Sequence, residues 1–270
     1  MIRLAIRVAR PQAGLVLAEL AELAPGGLEE RDVDAETVEF ALYGAPGELP
    51  SLPDLRAAAG SAFVDVSTTE LADDWQERWR TWHPAVVVEA GGRSLRVRPP
   101  WEDARPGSID VAIEPAQAFG TGAHETTRLS LALLLGLDPA GRLADWGCGS
   151  GVLAIAAAKL GFAPVLACDV EPASVAATRD GARLNAVAVE VSRCDLRRQP
   201  GPWAPTVTAN LVRPLLLELA ERMERPPERL IASGLLRAEA GEVAAAFARR
   251  GLRETGRREG GEWSALLLNG

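Results

Sequence analysis

The sequence predicts an α/β protein in which a doubly wound, Rossmann-like sheet follows a smaller α/β domain. Three observations predict this fold. From about residue 142 onward, short apolar runs alternate with segments of helical periodicity, and a glycine-rich turn follows the first of these runs. The first 66 residues have a different pattern of shorter elements. Strands that alternate with helices form a parallel sheet that is covered by helices on both faces.

Composition is that of an ordinary globular protein and excludes several functional classes. The 270 residues include 29 Lys+Arg against 37 Asp+Glu, a net charge of −8, and 47% are hydrophobic. Because the chain has no broad cationic field, we expect no direct nucleic-acid binding. The apolar stretches are too short to cross a membrane, and basic residues interrupt the N-terminus, so we expect a soluble, cytoplasmic protein.

The three cysteines do not form a recognisable metal-binding pattern. Cys148, Cys168 and Cys194 are far apart in the sequence and include no C-x-x-C pair. We therefore expect no metal site. Cys148 and Cys168 have no obvious activating cation nearby and should pack as small apolar residues.

Residues 1–66 predict a small ferredoxin-like domain with the order β-α-β-β-α-β. Alternating apolar residues indicate strands and helical spacing indicates helices. The predicted strands are 2–8, 37–43 and 62–66, and the predicted helices are 12–23 and 52–59. The fourth strand of this order is not assigned to particular residues. The resulting N-terminal domain is our candidate for substrate recognition.

A connecting segment over residues 67–100 follows. Trp75, Trp79 and Trp82 are spaced four and three residues apart, so they share one face of a helix predicted over 70–83. Aromatic residues at this spacing usually belong to a core, so we interpret the face as a docking stripe rather than a recognition surface. Short strands are predicted over 86–89, 94–98 and 109–113.

Residues 101–270 contain the strand–helix alternation and are predicted to form the larger domain. Predicted strands are 143–146, 165–168, 206–209, 229–233 and 263–268, and predicted helices are 152–160, 173–184, 213–223 and 238–249. This alternation predicts a parallel sheet.

The strongest local signal is the turn over residues 145–151, which reads DWGCGSG and lies between a predicted strand and helix. Glycines allow a tight turn and let a ligand approach the main chain. Asp169 ends the next strand, 22 residues after Gly147. An acidic side chain at that position can accept hydrogen bonds from both hydroxyls of a ribose.

The spacing of this turn distinguishes between nucleotide-like ligands. A dinucleotide fingerprint needs glycine at position 152, where this chain has Val152. A carboxylate at Asp145 would repel a pyrophosphate but can help bind an ammonium group, directly or through water. The ligand that joins an amino acid to adenosine is S-adenosylmethionine, which we expect as the cofactor. A structural glycine turn and a nicotinamide-binding domain are the alternatives.

Further motifs resemble the ribosomal protein L11 methyltransferase family (PrmA). Residues 113–127, IEPAQAFGTGAHETT, resemble the family's F-G-T-G-x-H-x-T-T signature. Residues 209–215, 233–236 and 262–263 are similar to its A-N-I-L…P-L, S-G-I-L and E-W segments. The resemblance covers about residues 70–267. The chain departs from the family pattern in two places, since Trp146 replaces an aliphatic residue and Asp180-Gly181 stands where Asn-Ala is frequent.

The resemblance implies a protein methyltransferase that uses S-adenosylmethionine. Its substrate would be ribosomal protein L11, methylated on lysine amines, with N-terminal amines as a second candidate. Another protein, a small amine and a non-enzymatic scaffold are the alternatives. Residues 119–124 would form a glycine-hinged flap. The residues expected to contact the cofactor are Thr127, Gly147, Asp169 and Asn210, and the glycine-rich turn adds Gly149.

Methyl transfer to an amine mainly needs alignment and an acceptor for the amine's N–H groups. Asn210 is the best candidate acceptor, with the Leu211 backbone carbonyl beside it, although Asn210 could instead be a turn or helix-cap residue. His124 could be a general base or a flap residue bonded to the backbone. Asp195 could meet an adenine amino group or serve only in a turn. No residue is assigned as catalytic.

Overall fold

The computed structural model describes residues 2–14, 16–17, 20, 29–44, 49–50, 52–70, 84–114 and 124–270. The chain divides into two compact units, Met1–Trp82 and His83–Gly270. The three tryptophans of the predicted linker helix lie outside the described residues, as does the predicted flap apart from His124. Glu70, the first residue of that predicted helix, instead ends a strand.

The first unit is built on an antiparallel sheet with the strand order β2-β3-β1-β4. Its elements are β1 (Ile2–Ala9), β2 (Glu29–Asp32), β3 (Thr37–Gly44), α1 (Leu52–Ala59) and β4 (Phe63–Glu70). Within the helix predicted over 12–23, residues 13, 14, 16, 17 and 20 are helical. Ile6, Leu20, Phe40 and Leu55 form the centre of its core. The element order agrees with the predicted β-α-β-β-α-β pattern.

The second unit contains a seven-stranded sheet with the order β10-β9-β8-β11-β12-β14-β13. Its strands are β8 (Leu143–Trp146), β9 (Val165–Asp169), β10 (Glu190–Arg193), β11 (Thr206–Asn210), β12 (Arg229–Leu236), β13 (Arg253–Gly260) and β14 (Trp263–Asn269). The first five strands in this order are parallel.

The expectation of a wholly parallel sheet is wrong at one edge. Strand β14 runs antiparallel to both β12 and β13. Only Gly261 and Glu262 separate β13 from β14, and a connection this short joins only antiparallel strands. Strand β13 was not predicted, because it is a charged and mostly exposed strand at the sheet edge.

Helices cover both faces of this sheet. They are α2 (Glu125–Leu135), α3 (Val152–Leu160), α4 (Pro172–Leu184), α5 (Arg213–Arg222) and α6 (Arg237–Ala248). Successive strand residues point to opposite faces, so Leu143 belongs to the core beneath α2 and α3, and Ala144 belongs to the core beneath α5 and α6. The doubly wound arrangement is therefore as predicted.

A three-stranded sheet completes the second unit, with β5 (Val86–Ala90) antiparallel to β6 (Arg93–Arg98) and β6 parallel to β7 (Ile109–Ala112). Asn185, after α4, holds β7 in place: its Oδ1 accepts from Ala112 N at 2.8 Å, and its Nδ2 donates to Ala112 O at 2.6 Å. Strands β5 and β6, which we assigned to the connecting segment, thus lie inside the second unit. The functional division into 1–66, 67–100 and 101–270 stays a prediction.

Candidate functional site

A cavity of about 230 Å³ opens where the parallel strands β8, β9 and β11 end. The chain passes from β8 outward to β9 and β10 and then returns to β11 on the other side of β8. Ligands of open α/β sheets bind at such a reversal of strand order. The cavity is lined by all five residues expected to contact the cofactor, namely Thr127, Gly147, Gly149, Asp169 and Asn210.

The glycine-rich turn forms the floor of this cavity and is closed by the backbone of β9. The N–H groups of Gly147 and Cys148 both donate to the carbonyl of Cys168, at 2.8 and 3.0 Å. Gly147 has φ +73°, and a β-carbon there would overlap the side chain of Leu211. The positive φ favours glycine at this position, and any other residue would also displace the end of the Leu211 side chain.

Asp169 faces the glycine-rich turn from the end of β9. Its Oδ2 accepts a hydrogen bond from Gly149 N at 3.0 Å, and its Oδ1 accepts one from Glu171 N at 3.0 Å. A carboxylate offers about four lone-pair positions, so acceptor capacity for two further donors remains. This geometry suits a ligand that presents two neighbouring hydroxyl groups.

Asp145 lies beneath the turn and is not among the residues that line the cavity. Its side chain is 1% exposed, and its Oδ1 accepts a hydrogen bond from Thr208 Oγ1 at 2.7 Å. Burial raises the pKa of Asp145 from 3.8 to about 7, and the hydrogen bond from Thr208 opposes that rise. Any effect of this carboxyl on an ammonium group in the cavity therefore acts through the turn.

Asn210 and Thr127 meet across the other side of the cavity. The Nδ2 of Asn210, at the end of β11, donates to Thr127 Oγ1 in α2 at 3.4 Å. The helix-cap alternative for Asn210 is not what the structure shows, because the residue that caps α5 is Val212. Leu211 is held by a 3.0 Å hydrogen bond from its N–H to the Ser233 carbonyl, which places its backbone beside Asn210.

His124 is the N-cap of α2. Its side chain accepts a hydrogen bond from the backbone N–H of Thr126, its Nδ1 lies 2.8 Å from Thr126 Oγ1, and its ring contacts Trp263 edge to face. His124 is not among the cavity-lining residues. These contacts favour the interpretation of His124 as a residue bonded to neighbouring backbone over its interpretation as a general base.

The segment after β10 forms the third side of the cavity, through Cys194, Asp195, Leu196 and Arg197. Asp195 Oδ1 accepts from Arg197 N at 3.0 Å, and Oδ2 lies 3.3 Å from Arg198 Nε. Asp195 thus both shapes a turn and faces the cavity.

Sequence reasoning missed several lining residues, mainly apolar ones that directly follow strand ends or lie in the next helix. They are Leu153, Val170, Ser174, Leu196 and Leu215. Proximity to a strand end was the available signal for Val170.

Cys148 and Cys168 are buried, and burial raises the pKa of the Cys148 thiol to about 12. Thr178 Oγ1 donates to Cys148 Sγ at 3.2 Å. A thiol with such a raised pKa stays protonated at neutral pH.

Among the described residues, no group of three or more His, Cys, Asp and Glu side chains is arranged to hold a metal ion. Within the same residues, no helix is both long and apolar enough to span a membrane.

Comparison with known proteins shows to which family of proteins this chain belongs. Residues 49–269 match the family model described as ribosomal protein L11 methyltransferase (PrmA). The chain belongs to the ribosomal protein L11 methyltransferase family. It is therefore an enzyme that transfers methyl groups from S-adenosylmethionine, and the alternatives of a nicotinamide-binding domain and a structural glycine turn are set aside.

Individual relatives of the L11 methyltransferase family agree with this assignment. The ribosomal protein L11 methyltransferase of Chromohalobacter salexigens is 37% identical over 230 residues, 80% of this chain and 76% of that protein. That of Azotobacter vinelandii is 38% identical over 208 residues, 73% of this chain and 68% of that protein. The crystal structure of a ribosomal protein L11 methylase from Lactobacillus delbrueckii subsp. bulgaricus has a TM-score of 0.61 at 27% identity, covering 68% of this chain and 97% of that one.

The residues around the cavity fit the family's cofactor. Asp169 has acceptor capacity for a pair of ribose hydroxyls. Gly147 and Gly149, which have no side chain, line the cavity beside it. The apolar side chains of Val170, Leu196 and Leu215 provide surface for a flat base and an aliphatic chain.

Proposed function

We propose that this enzyme methylates amines of ribosomal protein L11, chiefly lysine side chains, with N-terminal amines as a second candidate. The observation that carries the proposal is that Asp169 and Asn210, which lie on separate strands, face one cavity at the point where the strand order reverses. Relatives named for this substrate support the identity of the acceptor protein.

The proposed cofactor-binding residues are distributed across the cavity from the β10 side to the β11 side. Asp169 holds the ribose hydroxyls at the centre of the cavity, and residues 194–197 lie on the β10 side, where the base would pack. Gly147 and Gly149 allow close approach of the main chain, and Thr127 and Asn210 lie on the β11 side. S-adenosylmethionine supplies a methyl group on a positively charged sulfur when it is bound.

The remaining task of the protein is to bind and orient a neutral amine. A free lysine amine has a pKa of about 10.4, so it must lose a proton before it can attack. Burial and a neighbouring positive charge both lower that pKa. With the Asn210 Nδ2 directed to Thr127, the Asn210 Oδ1 and the Leu211 carbonyl are the acceptors that can hold the amine's N–H groups and aim its lone pair.

Two further parts of the proposal concern the whole protein. Residues 1–66 are the candidate substrate-recognition domain, because their described elements form a unit with its own core. The proposed site of action is the cytoplasm, where ribosomal proteins are available for modification.

The test is transfer of radiolabelled methyl groups from S-adenosylmethionine to a mixture of unmodified ribosomal proteins. Lys159 is the only lysine of this chain, so the Lys159→Arg variant removes lysine self-labelling as a background. We expect the label in L11, with intact mass rising in steps of one methyl group. Label confined to another protein, or equal labelling of free amines, would contradict the proposed substrate.

A further inference from the structure

Trp146 and Gly201 are in close contact although they are far apart in the sequence. Trp146 ends β8 directly before Gly147, and it is 7% exposed. Its indole Nε1 donates a hydrogen bond to the Pro202 carbonyl at 3.0 Å. A β-carbon built on Gly201 would lie 2.5 to 2.8 Å from three atoms of the Trp146 ring.

The glycine at position 201 is explained by this contact and not by its backbone. Its φ lies outside the positive region that favours glycine. The indole therefore occupies the space that a side chain at Gly201 would need. An aliphatic residue at position 146 would provide neither the N–H donor nor the large flat surface against Gly201.

The segment that Trp146 contacts forms one side of the cavity. Cys194, Asp195, Leu196 and Arg197 line it, and Trp146 shares a core cluster with Cys194 and Leu196. Two arginines also contact this segment, Arg222 at the end of α5 and Arg225 shortly after it. The Arg222 guanidinium donates to the carbonyls of Leu196 and Arg197, and the Arg225 guanidinium lies 3.5 Å from the centre of the Trp203 ring.

We propose that Trp146 and Gly201 form a positioning pair, which holds residues 194–203 in the arrangement that binds the adenosyl part of the cofactor. Trp146 does not line the cavity, so it acts through the segment and not by touching the ligand. The inference rests on the proposed placement of the cofactor, with its base on the β10 side. Cofactor affinity, and not the methyl-transfer step, is therefore the property that this pair controls.

The test measures the dissociation constants of S-adenosylmethionine and S-adenosylhomocysteine by calorimetry. Trp146→Phe keeps a ring and deletes the N–H donor, which should raise both dissociation constants about three- to tenfold. Gly201→Ala forces the segment away from the indole and should raise both dissociation constants more than about tenfold. Gly241→Ala is the matched control, because a β-carbon at Gly241 has no heavy atom within 4 Å, and it should leave both constants unchanged.

A double variant separates positioning from general damage to the fold. In a Trp146→Leu background the smaller side chain leaves room for a β-carbon, so Gly201→Ala should cost less affinity there than in the parent chain. The KM for the cofactor should rise in the single variants, and kcat at saturating cofactor should stay within about twofold of the parent value.

Two outcomes would overturn the inference. One is parent-like affinity of folded Gly201→Ala and Trp146→Phe, whether or not their unfolding temperatures fall. The other is an equal effect of Gly201→Ala in both backgrounds. Failure of the cofactor placement itself looks different, because Asp169→Ala would then also bind like the parent chain.

Discussion

The backbone N–H of Gly149 donates a hydrogen bond to the Oδ2 of Asp169 at 3.0 Å. This contact joins the glycine-rich turn after β8 to the end of the neighbouring strand β9. It fixes the direction of the carboxylate before any ligand arrives, which lowers the entropic cost of binding. The turn and the acidic residue, separate signals in the sequence, are thus one structural unit.

Replacement of Asp169 should weaken cofactor binding. Asp169→Asn substitutes an N–H₂ group for one acceptor, so one of the two backbone donors or a ribose hydroxyl loses its partner. Hydrogen bonds to charged groups contribute about 1.5–3 kcal/mol, so we expect affinity for S-adenosylmethionine to fall by about tenfold or more. Calorimetric titration measures this. Asp138→Asn, at an exposed position, is the control, and equal affinities of the two variants would contradict the role of Asp169.

Replacement of Asn210 should reduce the rate of methyl transfer more than it reduces cofactor affinity. Asn210→Ala removes the proposed amine acceptor, and Thr127→Val removes the hydroxyl that receives the Asn210 Nδ2. We expect kcat to fall by about 100-fold for the first and less for the second, since groups that orient reacting atoms contribute on this scale. Single-turnover kinetics with L11 would test it. A normal kcat in Asn210→Ala would exclude the acceptor role.

Replacement of His124 by another good helix cap should preserve activity. Asn is among the best N-cap residues, so His124→Asn can keep α2 and Thr127 in place without an imidazole. We expect kcat within about threefold of the parent value, and an unchanged pH profile, because a general base typically contributes 100-fold or more. A loss of that larger size, with the helix intact by circular dichroism, would show that the imidazole acts in the reaction.

Asp145 should make the protein less stable as pH rises from about 4 to about 7. The folded chain holds a proton on this carboxyl up to about pH 7, whereas the unfolded chain releases it near pH 3.8. The folded state binds the proton more tightly, so this contribution is complete below pH 3.8 and lost as pH approaches 7. The full contribution of Asp145 to the free energy of unfolding is roughly 4 kcal/mol, at 1.36 kcal/mol per pKa unit.

The Asp145→Asn variant isolates that contribution. An amide cannot ionise, so the stability difference between variant and parent should shift in favour of the variant between pH 4 and pH 7. Urea unfolding at several pH values measures the difference. A difference that does not change with pH would show that the Asp145 carboxyl ionises alike in both states.

The parts of the fold that the sequence predicted are those with a strong local pattern. Strand β8, the turn at Gly147 and helix α3 follow one another with apolar periodicity and glycine punctuation, and each is found as expected. The charged strands β2 and β13 were missed, because a sheet edge exposed to solvent needs no apolar alternation.

The candidate site was predictable where its residues sit at strand ends. Parallel strands bring their carboxyl ends to one edge, so Gly147, Asp169 and Asn210 had to come close together. Sequence spacing gave no sign that Asp145 is buried beneath the turn, since that depends on the helices packed around it. The contact of Trp146 with Gly201 was equally invisible, because the two positions meet only after the sheet has formed.

A crystal structure of the protein with S-adenosylhomocysteine tests the central claim most directly. The account predicts one molecule in the cavity, with both ribose hydroxyls within hydrogen-bond distance of the Asp169 carboxylate and the sulfur on the side of Asn210. A ligand bound outside this cavity, or one whose ribose makes no contact with Asp169, would contradict it.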